Sequence, residues 1–228
     1  MKTDLSLQQL KTKRWPHLYH QLYESRYLLL MTYLPVGLFL IVITIGCYIT
    51  DIPLNYLARD PASTTGEAFY LGFLSNIGAL LWCATATICL FTYFLFGYTG
   101  RDNHEKMFWL ISGLFNGLLL FDDFFLLHES TLPYYFDIPE KLTLLVYGLC
   151  FLAYFALFPK MIFRRHYWLF LTALAFWGGS FVGEWLFDSG NLHALIEDGG
   201  KLLGITGWFA YFALIAIAEV GQALQKGK

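Results

Sequence analysis

The densest group of chemically active residues in this chain is Phe121-Asp122-Asp123-Phe124-Phe125-Leu126-Leu127-His128-Glu129, two adjacent carboxylates followed by an imidazole inside apolar sequence. Carboxylates and imidazole together can hold a divalent metal such as Zn²⁺, or accept and pass on a proton. A seven-residue step on a helix returns to within about 20° of the same face. Asp122 and Glu129 would then share one face, and Asn116 and Asp123 another, with Ser112 one turn before Asn116. His128 joins them only if the helix ends and the chain turns back.

Two further groups follow. In Gly183-Glu184-Trp185-Leu186-Phe187-Asp188 two acids stand four residues apart, so they repel unless a cation or a proton relieves them. In His193-Ala194-Leu195-Ile196-Glu197-Asp198-Gly199-Gly200-Lys201, His193 and Glu197 have the i,i+4 spacing of two ligands on one helical face. Glu197 and Lys201 have the same spacing, so an ordinary helical ion pair is the alternative. The expected metal ligands are Asp123, His128, His193 and Glu197, with Asp122 or Glu184 as general base.

These groups sit at the ends of apolar stretches. Of the 228 residues, 57% are hydrophobic and 14% charged, against about a quarter charged in soluble domains. A run of roughly 20 apolar residues crosses a bilayer. Six candidates occur, at Tyr27–Ile49, Ala68–Phe96, Met107–Leu127, Leu142–Phe158, Tyr167–Phe187 and Leu202–Val220. Twelve of the 15 Lys and Arg fall in the N-terminal tail, the second and fourth loops and the C-terminal tail. Arg59, Lys141 and Lys201 fall in the others. The positive-inside rule then predicts an all-α, six-helix transmembrane bundle with both termini cytoplasmic, in the cell (inner) membrane.

The domains expected are an amphipathic cytoplasmic segment over 1–26, a six-span domain over 27–221 and a short tail over 222–228. An acid in a membrane helix costs roughly 2.5–3.5 kcal/mol on insertion scales, so Asp122, Asp123 and Glu184 mark a functional region. Cys47, Cys83, Cys89 and Cys150 lie in apolar stretches without CxxC spacing and read as small buried hydrophobes. The net charge of −2 excludes a nucleic-acid partner. The partner expected is the lipid bilayer, and with it a lipid substrate.

Three features resemble the membrane hydrolase superfamily of alkaline ceramidases and adiponectin-type receptors. Ser75-Asn76 lies in an early span, His128 is followed after 12 residues by Glu140, and His193-x-x-x-Glu197 precedes the last span. The resemblance implies a Zn²⁺ that activates water against a lipid amide or ester. The chain departs from that pattern in carrying Glu197 where the family has a second His, Phe124 where it has a Ser, and six apolar stretches where it has seven spans. The alternative functions are a cation or proton transporter or channel component, and a structural or sensory membrane subunit.

Overall fold

A computed structural model describes residues 27, 30–31, 33–58, 61–68, 70–186 and 191–226. The expected amphipathic segment 1–26 lies outside them. Among the described residues all regular structure is helical. The chain divides into two compact units, Met1–Leu71 and Gly72–Lys228. The first contains α1 (Tyr33–Thr50) and the short α2 (Leu54–Ala58) and α3 (Pro61–Thr65).

The second unit carries every candidate site residue. Its order is α4 (Phe73–Tyr98), α5 (Asn103–Phe125), a π-helical turn (Leu127–Thr131), α6 (Leu132–Phe136), α7 (Glu140–Leu157), α8 (Pro159–Ile162), α9 (Tyr167–Leu186) and α10 (Asn191–Lys226). Five helices among the described residues are long and apolar enough to cross a membrane: α1, α4, α5, α7 and the Leu195–Ala223 part of α10. α9, at the fifth expected stretch, is 20 residues long.

Within α4 the Thr85 and Thr92 hydroxyls each donate to the carbonyl four residues back, at 2.7 and 2.8 Å. Neither therefore presents an unpaired polar atom to the apolar surroundings. α5 begins where the Asp102 carboxylate caps the His104 N–H at 3.2 Å, with Glu105 favourably placed in the first turn.

α4, α5, α9 and α10 enclose an aromatic core. Trp177 stacks on Trp208 at 5.2 Å and meets Trp82 at 5.3 Å. The Trp208 indole N–H donates to Asn116 Oδ1 at 2.8 Å, and Asn116 Nδ2 donates to the Ser112 carbonyl at 2.7 Å. An indole can only donate, so the amide oxygen must face it. Replacing Asn116 with alanine is expected to leave a buried N–H unpaired and to cost about 1–3 kcal/mol. Thermal unfolding in detergent measures that loss.

α10 differs most from the expected span. It starts eleven residues earlier than Leu202 and runs six beyond Val220, so that His193, Glu197 and Lys201 stand on a helix rather than in a loop. Gly199 and Gly200 read as breakers, yet here they are mid-helix. An added Cβ at Gly200 would lie 3.3 Å from Ser180 Cβ, and one at Gly207 3.2 Å from Ala173 Cβ. These glycines admit α9 against α10, as small residues do in membrane helix pairs.

At the basic end, Arg101 pairs with Glu105 at 3.1 Å, and Arg164 bridges Glu105 and Glu219, both at 3.2 Å. This ties α5 and α10 to the loops that precede α5 and α9. Glu219 reads in sequence only as an acid on the basic side; its role as a buried cross-link depends on Arg101 and Arg164, which reach it from distant loops.

Candidate functional site

The site forms where α5 stops. Leu126 takes a left-handed backbone conformation, φ 49°, which is uncommon for a residue with a branched side chain. That single residue ends the helix and turns the chain back. The turn is held by Thr131, whose hydroxyl donates to the Phe125 carbonyl at 2.7 Å. It is also held by the His128 backbone N–H, which donates to Asp122 Oδ1 at 3.0 Å.

The reversal lays His128 over Asp122. His128 Nδ1 lies 2.6 Å from Asp122 Oδ2, and Tyr147 of α7 donates to Asp122 Oδ1 at 2.9 Å. A carboxylate accepts and does not donate, so Nδ1 carries the proton. In the neutral ring the lone pair is then on Nε2. Asp122 is buried, while the His128 side chain keeps 23% of its surface. The imidazole is thus fixed at its back and reachable at its front.

The hydrogen bond from Asp122 raises the His128 pKa above its ordinary value. Partial burial works against this, the Asp122 charge adds to it, Lys201 lowers it and Glu140 raises it. The charged ring is therefore favoured, and the stability it lends is fully present below about pH 6.5, the usual imidazole value. It is lost as pH rises through the elevated folded-state value.

The neighbouring acid is held separately. Asp123 Oδ1 pairs with Lys201 Nζ at 2.5 Å, across from α5 to α10. Asp123 Oδ2 is buried without a hydrogen-bond partner. It lies 3.5 Å from where a Cβ on Gly78 would be, so Gly78 makes room for the carboxylate against α4. His193 Nε2 meets Glu197 Oε2 at 2.9 Å, and its Nδ1 is buried without a partner.

The structure therefore brings the expected site residues together in pairs: Asp122 with His128, Asp123 with Lys201, and His193 with Glu197. Among the described residues no three of His, Cys, Asp and Glu are grouped so as to hold a metal ion. Asp123, His128, His193 and Glu197 are held in separate pairs in this arrangement. An ammonium occupies one Asp123 oxygen, and its positive charge opposes a dication there. Glu184 lies near the end of α9, and its side chain, like Asp188, falls outside the described residues. Glu129 is exposed and does not share a face with Asp122, because α5 ends between them.

Two contributors were not expected from the sequence. Tyr147 is one of many aromatics in the spans; its only signal is its position seven residues after Glu140, on the same helical face. Lys201 reads in the sequence as an i,i+4 partner of Glu197, whereas the structure gives it to Asp123.

No curated protein and no solved structure matches this chain. Residues 31–215 match a family described as a domain of unknown function, DUF8692, and that match covers the α5–α7 site together with most of α10. The chain belongs to the DUF8692 family.

Proposed function

We propose that this protein is a membrane-embedded hydrolase of a lipid ester or amide, in which His128, positioned by Asp122, is the general base. The observation that carries the reading is the Nδ1 hydrogen bond to Asp122, which in the neutral ring puts the lone pair on Nε2, at a partly open surface. A water bound to Nε2 gives up a proton to the ring as its oxygen attacks the acyl carbon. The imidazolium then returns that proton to the departing alcohol or amine. Tyr147 anchors the Asp122 oxygen that the ring does not use.

The lipid part of the reading rests on position. The dyad stands at the end of a span, flanked by exposed Phe121, Phe124 and Phe125 and followed by exposed Tyr134, Tyr135 and Phe136. Tyrosines such as Tyr134 and Tyr135 settle at the membrane interface, the depth of lipid ester and amide groups. Counting α9 as a sixth span, and taking the Lys and Arg distribution as the guide, both termini are cytoplasmic. The dyad then faces away from the cytoplasm, in the inner membrane.

Release of fatty acid from a panel of ester- and amide-linked lipids by the detergent-purified protein tests this. His128→Ala is expected to lower turnover by about 10²–10⁴, the usual contribution of a general base. Unchanged hydrolysis in that variant, or none by the wild type on any lipid of the panel, would sink the reading.

A proton or cation path is the second reading. One face of α5 carries Glu105, Ser112, Asn116 and Asp123, polar groups from one end to the other. The Asn116–Trp208 bond interrupts it, since neither an amide nor an indole takes up or releases a proton in the ordinary pH range. Proton flux in liposomes that Asp123→Asn abolishes would promote this path over the hydrolase.

A further inference from the structure

Asp122 and Asp123 are consecutive residues and hold different partners, one the imidazole and the other an ammonium. Lys201 is therefore within a side chain's reach of the dyad. Its geometry is that of a mounted donor. Asp123, itself more than nine-tenths buried on its side chain, grips one side of the ammonium, while the Lys201 side chain keeps 46% of its surface. An ammonium has three N–H groups, so donors remain for a second acceptor.

Glu140 opens α7 and is solvent-facing, and it shares a face with Tyr147, about 10 Å along the helix axis. α7 is in contact with the π-helical turn that carries His128. Lys201 reaches this end of the molecule through Asp123, and Glu140 belongs to it through the Tyr147–Asp122 bond and the contact of α7 with the turn. Lys141 follows Glu140 but is turned about 100° round the helix.

We infer that Lys201 and Glu140 form a receptor for a zwitterionic lipid headgroup beside His128, the phosphate on Lys201 and the amine on Glu140. This deepens the hydrolase reading and rests on it for the scissile bond, but the headgroup contacts stand on their own residues. The arrangement selects against both purely anionic and headgroup-free lipids. An anionic headgroup meets Glu140 without compensation, and a diglyceride leaves both charges unanswered.

Ether-linked lipids, which carry no bond to hydrolyse, separate the two ideas. The full-length protein in nanodiscs of inert lipid is titrated with ether analogues bearing phosphoethanolamine, phosphoglycerol or no headgroup, and bound lipid is counted by native mass spectrometry. The phosphoethanolamine lipid is expected to bind about tenfold tighter than either of the others. The paired substitution Lys201→Gln with Asp123→Asn, which leaves no buried charge unpaired, should remove that preference. Lys201→Arg should keep it, and Glu140→Gln should equalise phosphoethanolamine with phosphoglycerol.

Equal binding of all three lipids by the wild type, or a preference that survives the paired substitution, overturns the inference. Tightest binding of phosphoglycerol also overturns it, since Glu140 then contributes nothing. O-phosphoethanolamine, with the same charges and no tails, should compete poorly; competition as tight as the lipid would assign the site to a soluble molecule and overturn the lipid assignment. Headgroup-selective binding without hydrolysis of the ester-linked counterpart would sink the hydrolase reading alone. Hydrolysis without headgroup preference would sink the receptor alone.

Discussion

Gly204→Ala should be among the most destabilising single substitutions in this protein. An added Cβ would fall well inside van der Waals contact of Trp177 Cδ1 and 2.8 Å from its Nε1. The indole cannot step aside freely, because it is stacked on Trp208 and packed on Trp82. Relief must come by moving α9 away from α10. Overpacking of this kind costs about 1–3 kcal/mol, and here the upper end is expected because three indoles shift together. Gly117→Ala in α5 is the control. Nothing lies within 4 Å of its added Cβ, and alanine is favoured over glycine in a helix by up to about 1 kcal/mol. Thermal unfolding in one detergent should therefore move in opposite directions for the two variants. A Gly204→Ala protein as stable as the wild type would mean that α9 and α10 do not pack as described.

The second large effect concerns Asp122→Asn. An amide can still fill the space, but its charge is gone and it can present an N–H to the ring. Activity that depends on neutral His128 should rise with pH through the elevated value of that residue in the wild type. Removing the carboxylate takes away the two influences from Asp122 that raise it, leaving burial and Lys201 to lower it and Glu140 to raise it. The acid limb of the kcat/KM profile should therefore move to lower pH in the variant. The plateau should fall by about 10²-fold or more as the ring loses its orientation. A plateau loss without movement of the limb would make Asp122 a purely structural acid.

How much of this was legible beforehand differs residue by residue. α4, α5 and α7 each carry a long apolar run, so hydropathy alone locates them, as it does the α1 stretch. The two carboxylates of α5 and the distant His128 were legible as a candidate site for the same reason, that charge in apolar sequence is costly. Their pairing was not, because it depends on Leu126 adopting a left-handed conformation that its residue type disfavours. The start of α10 was misplaced for a related reason. Gly199 and Gly200 are poor helix formers by local propensity, and only the surface of α9 against them makes the helix continue. Once α10 begins at Asn191, His193 and Glu197 face each other on one helix and Lys201 reaches α5. The Asp123–Lys201 pair was not legible, because spacing within a segment cannot show an ammonium that arrives from another helix.

The central claim is that Asp122 holds His128 as a carboxylate–imidazole dyad with Nδ1 protonated. A titration of ¹⁵N-histidine-labelled protein in detergent micelles, with His128→Gln to assign the resonance, tests it without any knowledge of the substrate. The account predicts that His128 titrates above the ordinary imidazole value, is neutralised as the Nδ1–H tautomer, and drops in pKa when Asp122 is replaced by asparagine. A His128 that titrates at or below the ordinary value, or that does not respond to Asp122→Asn, would contradict it.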